Sequence, residues 1–292
     1  MATYTEFYCP SGGSNLNAGT LTGSATEPGT SASFTYASGN WVQATRVFTV
    51  ASGNPSGDGV AVGDFASVYA DGSTTTGFVG RITARDATTI TISGTALMGT
   101  APTDGTGNRT LKVGGAWGGP SGADTFPLNL ITGSLTDASG NRPRVNLKNN
   151  VTYTTSVAAN NGNNNYLIWG YTTAYGDGGI ATIDGTIVGA SYTIFQPSGV
   201  RVMLSDIHFT NNGTTGAASM VRIAANATLI FRCKFSNSRG PGLEIAVSTG
   251  TAVACEAFSN SAGDASLGGF YNTGIFYNCF SHDNTGSGFV ST

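Results

Sequence analysis

Short patterns of apolar and polar residues recur along the last third of the chain at nearly constant spacing. Four segments come into register when one apolar position of each is aligned, and these positions are Ile207, Cys233, Cys255 and Cys279. They are separated by 26, 22 and 24 residues. Five residues after each lies a small polar residue, in the order Asn212, Ser238, Asn260 and Asn284. A repeat of this length, built of short strands that bend at Asn, Ser and Gly, is typical of one turn of a parallel β-solenoid.

Residues around the first column alternate in polarity, as a half-buried strand requires. The second copy has an apolar set of positions and a charged set, which are Leu229, Phe231, Cys233 and Phe235 against Arg232 and Lys234. The same parity in the following copies predicts that Val253, Ile275 and Tyr277 also face the core.

Stacking of successive turns explains why cysteines recur at one point of the pattern. Turns of a solenoid lie about 4.8 Å apart, so equivalent residues stack, and cysteine is a compact apolar residue for an interior stack. A metal or redox role is disfavoured because no CxxC is present. The Asn and Ser column is expected to mark a bend with left-handed backbone angles. Gly-x-Gly at 240–242 and 286–288 predicts a second tight bend.

Upstream segments predict the order of domains in an all-β chain. Residues 141–292 are expected to form the solenoid, preceded by a junction at 116–140 with a short capping helix near 121–131, where Ser121 and Asp124 resemble a capping box. Residues 1–115 are expected to form an arm and a small antiparallel β-domain. In that domain, 59–94 reads as three or four strands with turns at Asp71-Gly72 and Arg85-Asp86, and 10–40 reads as an irregular arm.

Composition narrows the class of protein. The chain has 43 glycines in 292 residues and only 10% charged residues, which suits short strands joined by many turns. A net charge of −3 without a basic stripe argues against nucleic-acid binding. The N-terminal residues have neither the basic nor the apolar region of a signal peptide, and no apolar run is long enough for a membrane span. No cofactor and no metal site is expected.

The columns and the Gly-x-Gly-apolar bends over 200–292, and more loosely 140–199, resemble the right-handed parallel β-helix of the pectate-lyase-like superfamily, which includes bacteriophage tailspikes and fibres. The N-terminal stretches "MATYTEFYC", "GDFASVYADG" and "LKVGGAWGGP" are similar to the start of phage virion proteins in which a small β-domain precedes a β-helix. The resemblance implies a β-helix that assembles as a homo-oligomer, most plausibly a trimer.

Members of that superfamily that cleave polysaccharides use paired carboxylates, or a calcium site with a basic residue. The acids of the solenoid region are scattered, and Asp206 and Glu256 are the candidate catalytic pair because both flank the first column. Solvated surface acids explain the same residues. The segment "GDGG" at 176–179 fits a tight turn as well as a metal-binding turn, and His208 and His282 are expected to be surface or turn residues.

Three functions fit these patterns. The first is a structural or adhesive bacteriophage virion protein (fibre, spike or capsid-surface projection), anchored to other virion proteins through 1–115 and able to meet a host surface glycan. The second is a polysaccharide-degrading tailspike, acting as a glycoside hydrolase or lyase. The third is a bacterial surface adhesin, which the absent signal peptide disfavours. The sequence ends at "GSGFVST" within a turn, so we expect a longer chain or a partner subunit to cover that end.

Overall fold

Two compact units make up the chain. A computed structural model describes residues 4–9, 32–73, 78–94, 101–115, 142–154, 166–174, 176–185, 193–196, 202–213, 216–224, 226, 228–261 and 268–290. The first unit comprises Met1–Gly119 with Leu130–Val145, and the second Pro120–Asn129 with Asn146–Thr292. The capping helix expected near 121–131 lies outside the described residues, as does the arm from 10 to 31. The boundaries at 115 and 140 stay predictions.

A closed antiparallel barrel dominates the first unit. After β1 (Tyr4–Cys9), the barrel strands are β2 (Phe34–Val42), β3 (Val47–Thr49), β4 (Phe65–Ala70), β5 (Phe78–Arg85), β6 (Thr89–Ile92) and β7 (Gly105–Val113). They neighbour one another in the order β2-β3-β6-β5-β4-β7. A one-turn helix, α1 (Pro55–Asp58), starts after Asn54, whose side chain accepts a hydrogen bond from the N–H of Gly57.

Aromatic residues fill the barrel core. The rings of Trp41 and Phe78 lie 6.2 Å apart, and both side chains are buried. The strands expected in 59–94 are β4, β5 and β6, and Asp86 closes the turn before β6 by accepting hydrogen bonds from the N–H groups of Thr88 and Thr89. The expectation of an irregular arm through residue 40 is wrong for 34–40, which belong to β2. Tyr36 and Trp41 anchor this strand in the core despite its polar neighbours.

Short parallel strands form the second unit. They are β8 (Arg142–Lys148), which crosses the unit boundary, β9 (Thr152–Thr154), β10 (Tyr166–Tyr171), β11 (Ala181–Asp184), β12 (Val202–Ser205), β13 (Ile207–Thr210), β14 (Val221–Ile223), β15 (Leu229–Phe231), β16 (Lys234–Ser236), β17 (Leu243–Ile245), β18 (Thr251–Val253), β19 (Glu256–Phe258), β20 (Phe270–Asn272), β21 (Ile275–Tyr277), β22 (Phe280–His282) and β23 (Phe289–Val290). Each of the last four turns contributes one strand to each of three sheets.

The three sheets run through successive turns in parallel register. The first contains β10-β12-β15-β18-β21, the second β9-β11-β13-β16-β19-β22 and the third β14-β17-β20-β23. In the second sheet, His208 pairs with Lys234, Lys234 with Glu256, and Glu256 with Phe280. The fold is therefore a β-solenoid of about four turns spaced roughly 24 residues apart. The prediction of an all-β chain with a small antiparallel domain before a parallel solenoid is confirmed.

Left-handed residues at the corners change which side chains face the core. Every strand from β13 onward in the second sheet lies between two non-glycine residues with φ between 51° and 58°, which are 206 and 211, 232 and 237, 254 and 259, and 278 and 283. A single left-handed residue breaks the two-residue alternation of a strand. The predicted inward orientation of Leu229 and Phe231 is therefore wrong: Ile230 is buried and its two neighbours are half-buried.

The same inversion repeats in the next two turns. Ala252 is the buried residue of β18, and Val253 lies on the other side. In β21, Ile275 and Tyr277 are exposed at 44% and 58%. The parity inferred on the C-terminal side of each corner holds, since Cys233 and Phe235 are both buried.

Strain at these corners yields a stability prediction. Ala254 is exposed and has a φ of 53°, a conformation that costs an L-residue about 1 kcal/mol. We expect Ala254→Gly to raise the free energy of unfolding by about 0.5–1 kcal/mol, measured by urea denaturation.

A matched control uses the same chemical change on a strand. Ala257 is fully buried in β19, so Ala257→Gly should lower the free energy of unfolding by about 1 kcal/mol. Equal effects of the two glycines would contradict the assignment of strain to the corner.

Candidate functional site

A column of one isoleucine and three cysteines runs along the interior of the solenoid. The register places Ile207, Cys233, Cys255 and Cys279 at one position of four successive turns. The first three are buried and Cys279 is half-buried. Each thiol lies 3.4–3.5 Å from the carbonyl oxygen two residues before it, and Cys255 and Cys279 also approach a carbonyl oxygen of the preceding turn at 3.5–3.6 Å.

A second column carries hydrogen bonds from turn to turn through its side chains. The amide oxygen of Asn260 accepts the backbone N–H of Ser238 at 2.9 Å, and the amide oxygen of Asn284 accepts that of Asn260 at 2.9 Å. The amide nitrogen of Asn260 donates to the carbonyl of Phe235 at 3.1 Å. Asn212 bridges in the other direction, since its amide oxygen accepts the backbone N–H of Arg239 in the following turn at 2.8 Å. Asn212, Ser238 and Asn260 are buried, so these bonds are shielded from water.

The backbone at this column differs in detail from the expected bend. The left-handed residues are the ones immediately before the column, Asn211, Asn237, Ser259 and Asp283. The glycines after it serve close packing of turns. A Cβ on Gly240 would collide with the carbonyl oxygen of Ala217 in the turn below, although Gly240 itself has no positive φ.

A network of charged residues occupies the outer face of the second sheet. Lys234 Nζ lies 2.8 Å from Glu256 Oε2, and His282 Nε2 lies 3.0 Å from Glu256 Oε1. His282 Nδ1 is 2.8 Å from Asp283 Oδ2, and its ring stacks on Phe258 at 5.3 Å. The Lys234 ammonium and the His282 ring lower the pKa of Glu256. Asp283 and Glu256 raise the pKa of His282.

The two candidate catalytic carboxylates lie in different surroundings. Asp206 is buried at a left-handed corner, where Arg232 Nη2 lies 2.8 Å and Ser205 Oγ 2.6 Å from its Oδ2 atom. Glu256 lies two turns later on the outer strand face, within the Lys234 and His282 network. Each carboxylate is engaged by its own cation, and no hydrogen bond in the described part of the chain links the two.

A cleft of about 370 Å³ lies on the outer side of the third sheet. Arg222, Glu244 and Tyr271 occupy one outward column of that sheet, and Ser219 and Pro241 line the cleft beside them. Glu244 accepts hydrogen bonds from Ser219 Oγ at 2.6 Å and from Arg222 Nε at 3.0 Å. Such a cleft combines a charged pair, hydroxyl groups and an aromatic ring, which are groups that can bind a polar ligand.

Sequence reasoning missed this cleft, although a signal was present. Glu244 stood among the scattered acids, and Arg222 and Tyr271 were not singled out. Three triplets share an apolar first residue and a polar second residue. They are Val221-Arg222-Ile223, Leu243-Glu244-Ile245 and Phe270-Tyr271-Asn272. Aligning them would have placed the three central residues in one column.

The GDGG segment forms a tight turn. The Asp177 carboxylate accepts the backbone N–H groups of Thr172, Thr173 and Ala174, and Gly176 and Gly178 both have a φ of 85°. Within the described residues, no group of three or more His, Cys, Asp and Glu side chains is placed to hold a metal ion. In the same part of the chain, no helix has the length and apolar character needed to cross a membrane.

Comparison of the chain with protein-family models, with curated proteins and with solved structures returned no match. The class of protein is therefore defined by the fold, which comprises an antiparallel barrel unit and a parallel β-solenoid unit.

The asparagine column yields a second stability prediction. Removing the amide of Asn260 leaves the buried N–H of Ser238 and the carbonyl of Phe235 without these partners. We expect Asn260→Ala to lower the free energy of unfolding by about 2–3 kcal/mol, measured by chemical denaturation. The exposed neighbour Ser259 provides the control, because Ser259→Ala should change the free energy of unfolding by less than about 0.5 kcal/mol. A loss below 0.5 kcal/mol for Asn260→Ala would contradict the structural role of this column.

The outer-face network yields a pH prediction. A raised pKa on His282 adds stability that is complete below its ordinary value of 6.5 and disappears as pH rises through the raised value. A lowered pKa on Glu256 adds stability that is complete above its ordinary value of 4.5 and disappears as pH falls through the lowered value. We expect the network to stabilise the fold most between about pH 4.5 and 6.5.

The measurement compares the unfolding free energy of the protein with that of His282→Gln at pH 5.5 and pH 8.5. The difference between the two proteins should be larger at pH 5.5. Taking a difference removes the opposing contribution of His208, whose pKa is lowered by its burial and by Lys234. A difference that does not change with pH would show that His282 is not held in its charged form.

Proposed function

We propose that the chain is a structural and adhesive protein of a bacteriophage particle. In this proposal the barrel unit binds other virion proteins, and the solenoid presents its outer faces to the host surface, with a glycan as the ligand. We further propose that the chain assembles as a homo-oligomer, specifically a trimer, and that it is located in the virion. The trimer and the location follow from the resemblance to phage fibres and spikes.

The observation that supports the proposal is the buried asparagine column. Side-chain hydrogen bonds from Asn260 and Asn284 to the backbone of neighbouring turns hold the turns in register. Outward residues of successive turns then form straight columns at about 4.8 Å intervals. A stiff surface with evenly spaced side chains suits attachment to a repeating surface polymer, because little ordering is needed on binding.

The cleft of the third sheet is the surface that we assign to this attachment. Tyr271 can stack on a sugar ring, while Arg222, Glu244 and Ser219 supply hydrogen-bonding groups. The pairing of Glu244 with Arg222 at 3.0 Å holds its carboxylate in place as a hydrogen-bond acceptor.

A polysaccharide-degrading enzyme is the second candidate function, because Glu244 in the cleft supplies one of the two carboxyl groups that glycoside hydrolysis uses. Glycoside hydrolysis requires two carboxyl groups roughly 5–10 Å apart. In this alternative Glu244 is a further residue to test, together with Asp206 and Glu256.

Mass determination, cell binding and viscometry on the purified chain test these proposals. We expect an oligomer, labelling of bacterial cells by the fluorescent protein, and no fall in the viscosity of their purified capsular polysaccharide. Tyr271→Ala should weaken labelling roughly tenfold, whereas Tyr277→Ala, a tyrosine exposed on another sheet, should not.

Two results would overturn the adhesive assignment. A falling viscosity that Glu244→Gln abolishes would establish the enzyme instead. A monomer that labels no cells and changes no viscosity would remove both functions. Antibodies raised against the chain should label purified phage particles. If the antibodies label the bacterial envelope instead, that result would favour the surface-adhesin alternative.

A further inference from the structure

Cys255 and Cys279 occupy equivalent positions of adjacent turns, as the pairing of β19 with β22 requires. Equivalent residues of neighbouring parallel strands have Cα atoms about 4.8 Å apart. That spacing lies inside the range of about 4.4–6.8 Å that a disulfide spans. In contrast to CxxC motifs, the two residues are brought together only by the stacking of turns, so their sequence spacing carries no redox signature.

The thiols of this pair have different environments. Cys255 is 1% exposed, and Cys279 is half-buried and open to small molecules in solution. The neighbouring Cys255 thiol lowers the pKa of Cys279. Cys279 is therefore the nucleophile of the pair, because it is the more exposed thiol and the one that loses its proton more readily.

We propose that Cys255 and Cys279 form a dithiol site that a small two-electron oxidant, hydrogen peroxide, converts into a disulfide between two turns of the solenoid. The inference stands on the register of the turns and is independent of the proposed function.

The reaction balances in two steps. The Cys279 sulfur attacks one peroxide oxygen, the O–O bond breaks, and a sulfenic acid forms while the other oxygen leaves as water after taking up a proton. The Cys255 sulfur then attacks the Cys279 sulfur. The S–O bond breaks, and the departing hydroxide takes the Cys255 proton to form a second water. Two thiols lose two electrons, and one peroxide becomes two waters.

Cys233 is the other cysteine that could pair with Cys255. It lies one turn below Cys255 in the same column and is fully buried, so peroxide reaches it only if the solenoid opens. The pair that reacts is therefore expected to be Cys255 with Cys279, and never Cys233 with Cys255.

The experiment treats the full, reduced chain with hydrogen peroxide under native conditions and labels the remaining thiols with N-ethylmaleimide in denaturant. Two of the four cysteines should escape labelling. Digestion after glutamate cuts at Glu256, between the two cysteines, so mass spectrometry should find their fragments joined and about 2 Da lighter than the reduced pair. A reducing agent should separate them.

Variants and an unfolded sample provide the controls. Cys279→Ser should abolish the link, and Cys233→Ala should leave it intact. In urea the specific pairing should disappear, because the fold creates the proximity. Four outcomes would each overturn the proposal. They are a disulfide between Cys233 and Cys255, a disulfide between two chains, oxidation of Cys279 beyond the sulfenic acid without a disulfide, and four unreacted thiols. The wild-type fragment map decides the matter even if a variant fails to fold.

Discussion

Stacking of turns at one strand spacing is the constraint on which the solenoid depends. Every turn must satisfy the hydrogen-bonding groups of its neighbour at about 4.8 Å, and it must do so without the long strands of an ordinary sheet. Strands of two to four residues such as β16 and β19 provide few backbone bonds of their own. The side-chain amides of Asn212, Asn260 and Asn284 extend the ladder into the corners. Loss of the Asn260 amide leaves two backbone groups of the preceding turn without these partners, because its oxygen accepts the N–H of Ser238 and its nitrogen donates to the carbonyl of Phe235.

The corners balance strain against register. In the second sheet, eight non-glycine residues with left-handed φ flank the four strands β13, β16, β19 and β22. Asn or Asp occupies five of these eight positions. Asn and Asp tolerate this conformation better than other L-residues. Ala254 and Arg232 adopt it because the hydrogen bonds of their own N–H groups to the next turn hold them there. Local preference thus yields to the demands of stacking.

Stacking also determines what the outer surface can do. Side chains that are 22 to 27 residues apart in sequence become neighbours, which builds the Lys234, Glu256 and His282 network on one face and the Arg222, Glu244 and Tyr271 column on another. In the interior the same geometry brings thiols together. The charged network, the cleft and the pair of thiols therefore all result from the stacking of turns, although they differ in exposure and in chemistry.

The recurrence of Cys and Asn at constant spacing was sufficient to infer a solenoid and its register, because equivalent residues must stack wherever the turns repeat. It was insufficient to orient the strands before each corner. One left-handed residue at 232 reverses the alternation that Leu229 and Phe231 display in sequence, and a polarity pattern does not reveal a backbone angle. The different ion-pair partners of Asp206 and Glu256 and the assembly of the cleft also required the tertiary structure. The alternation of residues along a strand specifies only which face of that strand a side chain occupies. The backbone angles at the corners and the pairing of strands in the third sheet determine which side chains meet in space.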